Sequence, residues 1–254
     1  MKITFLGTGT SKGIPVIGSK NPVCLSKDPK DTRMRSSVLV QWNDFNYVID
    51  CGPDFRRQIL NTEISTLDGI LFTHYHADHT AGLDDIRPFC DRAGSIPIYA
   101  KKDVIHNLKE RFDYIFRTEN RYFGAPSLSV NRVRNEVFSL KNMEVVPIKV
   151  KHGTLKILGY RLDSFAYLTD VKTISIKQLK KLNDLDVLVI NALRIEPHPT
   201  HLNLQEALDL IAQIKPKRAY LTHISHKLGF HKEVSNKLPK NVFLSYDGLE
   251  VTIP

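Results

Sequence analysis

Residues 73–79 read T-H-Y-H-A-D-H and place four potential metal ligands within six positions. The motif continues the apolar run 67–73, which predicts a strand. In an extended segment alternate side chains point the same way, so His74 and His76 share one direction. A turn directly after them brings Asp78 and His79 to a neighbouring point. The motif therefore predicts a site for two metal ions at the end of a strand.

Composition is that of an ordinary globular protein. The 254 residues include 42% apolar and 25% charged side chains, and 36 Lys and Arg against 27 Asp and Glu give a formal charge of +9. We find no repeat, low-complexity tract or linker, so we expect a single domain over residues 1–254.

The sequence argues against a membrane or secreted protein. No stretch approaches the roughly 18 apolar residues that a membrane-spanning helix needs, so no membrane partner is expected. Three scattered cysteines, an odd number, argue against a disulfide framework and favour a cytoplasmic location.

Short apolar runs separated by turn residues predict strands, and helical patterns recur between them. This order predicts an α/β protein whose sheets are covered by helices. We predict helices over 53–60, after His79, and over 175–182, 203–214 and 232–238. We predict strands over 2–6, 37–42, 45–50, 67–73, 96–100, 143–150, 156–162, 165–169, 187–190, 219–222, 242–245 and 249–253, the last two joined at 247–248.

Residues 101–135 form a basic, aromatic segment. It contains eight Lys and Arg but only four Asp and Glu, and five Phe and Tyr are interleaved with them. We expect a helical insert, which either caps the active site with a solvated basic face or grips phosphates and stacks bases of a nucleic acid.

The motif at 73–79 resembles the signature of the metallo-β-lactamase superfamily. This resemblance implies a four-layer αβ/βα sandwich of two mixed β-sheets, with further ligands at the ends of later strands. By the same resemblance, His74, His76 and His152 would hold one metal, Asp78, His79 and His223 the other, and Asp170 would bridge both. Asp50, which closes the strand at 45–50, would orient the ligands without touching the metals.

A narrower resemblance covers nearly the whole chain. F-L-G-T-G-T-S-K-G-I-P at 5–15, V-I-D-C-G at 48–52, L-T-D at 168–170, and the stretches around His201 and His223 are similar to the PhnP-like phosphoribosyl cyclic phosphodiesterase group. The resemblance implies that His201 lies in the active site, either as a residue that supports the ligands or as an acid–base residue, rather than as a metal ligand. Members of that group often carry a structural zinc, but only Cys24 and His226 of its four ligand positions remain here, so we expect no structural zinc.

These observations favour a metal-dependent hydrolase. The cofactors would be two divalent ions, zinc or manganese, with iron as an alternative. A hydroxide between the ions would attack a small anionic phosphodiester, cyclic or nucleotide-like, with His201 and Asp78 as catalytic residues. The charge of two divalent ions, reduced by the negative charges of Asp78, Asp170 and one hydroxide, is roughly +1. A site with this charge would attract an anionic substrate.

Other functions stay open at this point. A ribonuclease that processes the 3′ ends of tRNA shares the opening residues and the motif. RNA would then be the partner, which we favour less than a small phosphodiester. A lactone or thioester hydrolase would use the same nucleophile. A metal-binding scaffold without turnover is the alternative outside the enzymes. A homodimer is a further alternative to a monomer.

Overall fold

The strands form two mixed β-sheets in the computed structural model, which describes residues 1–254. The first sheet contains β1 (Lys2–Gly7), β2 (Ser37–Trp42), β3 (Phe45–Ile49), β4 (Gly69–Leu71), β5 (Ile96–Ala100), β6 (Leu128–Arg132) and β15 (Glu250–Thr252). Their order across the sheet is β15-β1-β2-β3-β4-β5-β6.

The second sheet is built from the chain between β6 and β15. It contains β7 (Phe138–Leu140), β8 (Met143–His152), β9 (Leu155–Leu162), β10 (Phe165–Leu168), β11 (Thr173–Ile174), β12 (Val187–Asn191), β13 (Arg218–Thr222) and β14 (Val242–Leu244). The order is β11-β8-β9-β10-β12-β13-β14, and β7 pairs with β8 beside this path.

Eight α-helices lie between the strands. Their bounds are α1 (Phe55–Leu60), α2 (Ala77–Thr80), α3 (Arg87–Ala93), α4 (Lys102–Arg111), α5 (Asp113–Phe116), α6 (Ile176–Leu179), α7 (Leu204–Ile214) and α8 (His231–Ser235). Helix α7 begins with a capping box, in which Asn203 accepts from the Glu206 amide and the Glu206 carboxylate accepts from the Asn203 amide.

Three apolar clusters define the layers. The central cluster joins side chains such as Phe5 and Val40 of the first sheet to Tyr160 and Tyr167 of the second, so the two sheets pack face to face. The other two clusters lie on the outer faces, where helices such as α7 and α3 cover the sheets. The predicted four-layer αβ/βα class is confirmed.

Parallel pairing explains why polar residues collect at one edge of the molecule. Strands β3 to β6 are parallel to one another, as are β10, β12, β13 and β14. Ligand sites in such sheets lie beyond the carboxyl ends of the strands. Asp50, the motif at 73–79, Asp170 and His223 all follow such ends.

Three predictions about the secondary structure were wrong in detail. The predicted strands at 242–245 and 249–253 do not form a hairpin, because β14 pairs with β13 in the second sheet and β15 with β1 in the first. Strand β4 is shorter than predicted. The segment 101–135 is not wholly helical, because its last part forms β6 at the edge of the first sheet, parallel to β5.

The loop of residues 11–35, called the early loop, is tied to the body of the protein by a buried cation. The Arg33 guanidinium donates to Thr8 Oγ1 at 2.8 Å, to the Ser245 carbonyl at 2.6 Å and to His231 Nδ1 at 3.1 Å. Asp31 accepts from the His231 amide at 2.6 Å. These contacts join the loop to segments that follow β1 and β14 and to α8. No helix of the molecule is long and apolar enough to traverse a bilayer.

Candidate metal centre

Asp50 anchors the motif that follows β4. One carboxylate oxygen accepts from the Thr73 amide and the other from the Thr73 hydroxyl, both at 2.8 Å. The second oxygen also accepts from His79 Nδ1 at 2.7 Å. The opposite sheet contributes Tyr160, whose hydroxyl donates to the Phe72 carbonyl at 2.7 Å. The backbone of the motif is therefore held from both sheets.

The structure brings the predicted ligands together in two groups that share one carboxylate. The potential ligand atoms of each group lie within 4.8 Å of one another. The first group contains His74, His76, His152 and Asp170, and the second contains Asp78, His79, Asp170 and His223. The grouping matches the one that the resemblance implied, with Asp170 common to both. The role of these residues as ligands stays a prediction.

Outer hydrogen bonds set which ring nitrogens face the centre. Nδ1 of His79 is hydrogen-bonded to the Asp50 carboxylate, and Nδ1 of His152 is hydrogen-bonded to the Thr200 carbonyl at 2.8 Å. In both rings Nε2 is left to face the centre, where His79 Nε2 lies 3.2 Å from Asp78 Oδ2 and 3.4 Å from Asp170 Oδ1. A carboxylate or carbonyl behind the imidazole is the usual support of a metal-binding histidine.

The charge of the centre calls for a cation. All the ion-pair partners of Asp50, Asp78 and Asp170 are histidines. Burial by itself would raise the pKa of Asp170, but the surrounding histidines, His223 and His79 foremost, together hold this pKa well below its usual value. Ionised carboxylates at this depth are costly without a counter-charge.

Unpaired ring nitrogens give a second test of whether metal ions fit. Nε2 of His79 and both ring nitrogens of His223 are buried and make no well-aligned hydrogen bond in the protein, although a carboxylate oxygen lies 3.2 Å from Nε2 of each ring. Buried polar atoms of this kind are rare, and each needs an explanation. Imidazole nitrogens beside carboxylate oxygens are a donor set that suits zinc, manganese or iron. The residues present therefore fit divalent metal ions.

The backbone around the centre is unusual at three of its side chains. Asp50, Asp170 and His223 have positive φ angles of 65°, 58° and 54°. Left-handed backbone is uncommon for residues other than glycine and clusters at functional sites. In each case the sharp turn after a parallel strand points the side chain across the edge of the sheet.

His201 lies beside the two ligand groups. Its Nε2 lies 3.2 Å from Asp170 Oδ2, and its ring stacks on that of His223 at a centroid distance of 5.0 Å. Burial is the largest cause that lowers the pKa of His201, to about 4. His201 belongs to neither ligand group, and its acid–base role stays a prediction.

Sequence reasoning missed His198 and Thr200. Nδ1 of His198 lies 3.2 Å from Nδ1 of His201, and Thr200 contacts both rings. In the sequence, the signal for these two residues is the close spacing of the two histidines in H-P-T-H at 198–201. Cys24 and His226 belong to neither ligand group, and the Cys24 thiol accepts from the Val16 amide at 3.5 Å.

Comparison with known proteins now identifies the family. The model of the β-lactamase superfamily domain matches residues 45–224, which include every predicted ligand. The chain belongs to the metallo-β-lactamase superfamily. The resemblance drawn from the motif is therefore confirmed.

Within the superfamily the chain is similar to a diphosphatase of the PhnP family. That crystal structure shares 41% sequence identity with a TM-score of 0.92, and the match covers 98% of this chain and 96% of the other. The agreement extends over almost all of both chains, so it includes the early loop and the edge that carries the candidate metal centre.

Two curated relatives carry different names. An octanoyltransferase of Porphyromonas gingivalis is 39% identical over 256 residues, covering 100% of this chain and 52% of that protein. A ribonuclease Z of Methanococcus aeolicus is 26% identical over 192 residues, covering 74% of this chain and 52% of that protein. The chain thus spans about half the length of the curated relatives it matches.

Proposed function

We propose that this protein hydrolyses a small phosphodiester, cyclic or nucleotide-like, with the help of two divalent metal ions. The observation that carries the proposal is the position of Asp170, whose carboxylate belongs to both ligand groups. A carboxylate shared between two adjacent sets of histidines is suited to hold a pair of ions side by side.

His74, His76 and His152 would hold one ion, and Asp78, His79 and His223 the other, with Asp170 between them. Bound ions of this kind act as Lewis acids and lower the pKa of bound water, so that a strong nucleophile exists near neutral pH. The pair of ions also gives the pocket the positive charge that a phosphodiester needs, because the protein's own groups there are carboxylates and histidines.

His201 supplies the proton-transfer group. Its Nε2 faces Asp170 at the edge of the ligand groups, where it moves a proton to the oxygen that leaves phosphorus or donates to the phosphate. Asp78 contributes to the part of the centre that supplies the nucleophile, because its Oδ2 lies near Nε2 of both His79 and His223. Both residues were the predicted catalytic groups.

The diphosphatase of the PhnP family supports a phosphorus-centred reaction. Because this relative is a diphosphatase, a diphosphate is the strongest alternative to a phosphodiester as the substrate. The similarity over nearly the whole length of both chains is the reason for preferring a small substrate over a long polymer.

RNA cleavage is the second candidate. Archaeal ribonuclease Z proteins are among the relatives, and an open groove near the carboxyl ends of β5 and β6 is lined by basic side chains. The lining includes Lys101, Lys102, Arg132 and Arg134, which outnumber its two carboxylates, Asp103 and Glu136. Binding through such a groove would weaken steeply with added salt, because the phosphate contacts release counterions.

Thioester chemistry and a scaffold role are weaker candidates. About half of the octanoyltransferase lies outside the match, so its name need not describe the matched half. A scaffold without turnover would have no use for His201 beside the ligand groups.

The test is one preparation of protein, purified without chelators, assayed on several substrates. We expect about two metal ions per chain and the highest kcat/KM on a ribose cyclic phosphate or an aryl phosphodiester. The other substrates are a nucleoside diphosphate, a precursor tRNA, a lactone and an acyl thioester. A higher kcat/KM on any of these would overturn the proposed substrate class.

Asp170→Asn tests the shared ligand. We expect this variant to lose metal and at least about a hundredfold in activity, since a bridging ligand supports both ions. The matched control is Asp163→Asn, because Asp163 is exposed and also has a positive φ of 52°. Equal metal content and activity in Asp170→Asn and Asp163→Asn would contradict the assignment.

A further inference from the structure

The candidate ligand His223 is held differently from His79 and His152. Those two rings each have an oxygen of the protein hydrogen-bonded to Nδ1, at 2.7 and 2.8 Å. Nδ1 of His223 has no such partner, and its ring only stacks on those of His79 and His201, at centroid distances of 5.7 and 5.0 Å. The place of the His223 ring is therefore set by its own backbone.

That backbone is held by the first turn of the chain after β1. Residues 7–10, G-T-G-T, are called the opening segment. His223 has left-handed backbone, a conformation that the surrounding structure must maintain. The amide of the next residue, Ile224, donates to the Thr8 carbonyl at 2.9 Å, and the Ile224 carbonyl accepts from the Thr10 amide at 3.0 Å. The opening segment thus satisfies both backbone groups of Ile224.

A buried polar cluster fixes the opening segment in turn. The completely buried Thr8 hydroxyl donates to Asp247 Oδ1 at 2.7 Å and accepts from the Arg33 guanidinium at 2.8 Å. The other oxygen of Asp247 accepts from the Met34 amide at 2.6 Å, and the Met34 carbonyl accepts from the Gly9 amide at 2.7 Å. A hydroxyl between a carboxylate and a guanidinium is held in one orientation, because only that orientation satisfies both partners.

We propose that Thr8 is a positioning residue for His223. The buried cluster fixes the Thr8 hydroxyl, so the carbonyl of the same residue holds the Ile224 amide in one place. The left-handed turn just before Ile224 then aims the His223 ring at the centre. The opening segment supplies from the backbone the support that His79 and His152 receive at their rings. This inference rests on the two-ion centre of the proposed function but not on the substrate.

Thr8→Val tests the role with little change in shape. Valine keeps the size and branching of threonine but removes the hydroxyl that Asp247 and Arg33 share. We expect two zinc ions to bind the unsubstituted protein, and Thr8→Val to weaken one of the two by about tenfold or more. Zinc at His74, His76 and His152 should be unaffected. Thr8→Ser keeps the hydroxyl and should bind both ions normally. Isothermal titration calorimetry against a competing chelator measures both affinities.

Thr4→Val is the matched control. Thr4 is a buried residue of β1, four positions before Thr8, so the same substitution is made at similar burial but away from the polar cluster. It should bind both ions like the unsubstituted protein. If Thr8→Val does not fold, Asp247→Asn takes its place, because the single oxygen of the amide replaces only one of the two acceptors that Thr8 and Met34 use.

A double-mutant cycle with His223→Ala shows whether Thr8 acts through His223. Thr8→Val should weaken zinc binding when His223 is present and cause no further loss in His223→Ala, because the proposed effect passes through this ring. A general loosening of the structure would lower the affinity by the same factor in both backgrounds. Equal factors, or full affinity in Thr8→Val, would overturn the positioning role.

The same titrations keep the two proposals apart. If the unsubstituted protein binds two ions and the cycle shows coupling, but no phosphodiester is hydrolysed, the proposed substrate class fails and the positioning role of Thr8 stands. If the unsubstituted protein binds fewer than two ions after reconstitution, both proposals are overturned.

Discussion

Gly52 is the residue whose size most directly limits the centre. A Cβ atom at this position would lie 2.1 Å from the backbone oxygen of Asp78, a distance that no packing tolerates. We therefore expect Gly52→Ala to displace Asp78 and to lower metal affinity and activity by at least about tenfold. Isothermal titration calorimetry with the metal measures the change in affinity.

The control for this prediction is Gly124→Ala. Gly124 is an exposed loop residue, and the atoms nearest to an added Cβ there belong to the Tyr122 ring, at 3.0 Å. Metal affinity of Gly52→Ala equal to that of Gly124→Ala would show that the close approach of Gly52 to Asp78 is not needed.

Some residues of the centre could be located from the sequence and others could not. His74, His76, Asp78 and His79 lie together in the chain, so their local spacing indicated the centre. The more distant ligands followed from the resemblance. The left-handed backbone at Asp50, Asp170 and His223 has no signature in these residue types, since the surrounding strands and turns impose it.

At the scale of elements, the apolar pattern predicted most strands to within one or two residues. It missed β6 because residues 128–132 lie largely exposed at an edge, where few apolar side chains are needed. It joined β14 to β15 because Asp247-Gly248 is a local hairpin signal, whereas β14 pairs with a strand formed earlier in the chain. Local patterns do not report such long-range partners.

Helix α7 offers a test at this scale. Asn203 caps the helix, and its side chain also donates to the Ile195 carbonyl in the loop before it, so Asn203→Ala should lower the free energy of unfolding by about 1–2 kcal/mol. Urea denaturation measures the loss. Gln205→Ala, at an exposed position of the same helix, should change stability by less than about 0.5 kcal/mol. Equal losses in both variants would argue against the capping role.

At the scale of the whole molecule, the early loop is joined to the second sheet through Arg33 and His231. Burial, and after it the charge of the neighbouring Arg33, lower the pKa of His231 to about 4. Since the ring is neutral when folded but titrates near 6.5 when unfolded, its contribution to stability is complete above about pH 6.5. That contribution is lost as the pH falls towards 4.

We therefore expect His231→Gln to destabilise the protein most at pH 7.5 and progressively less towards pH 4.5. Asp247 opposes this trend in both proteins, because burial raises its pKa to about 6. Comparing the variant with the unsubstituted protein cancels that contribution to first order. Urea unfolding at several pH values measures the difference, and a constant difference across this range would contradict the assignment of a neutral, buried His231.

The central claim is that distant segments of one chain build a centre for two metal ions around Asp170. Anomalous diffraction from crystals of protein loaded with zinc or manganese tests it most directly. We predict two peaks, one within reach of His74, His76 and His152 and the other within reach of Asp78, His79 and His223, both in contact with Asp170. A single peak, or none after reconstitution, would contradict the account.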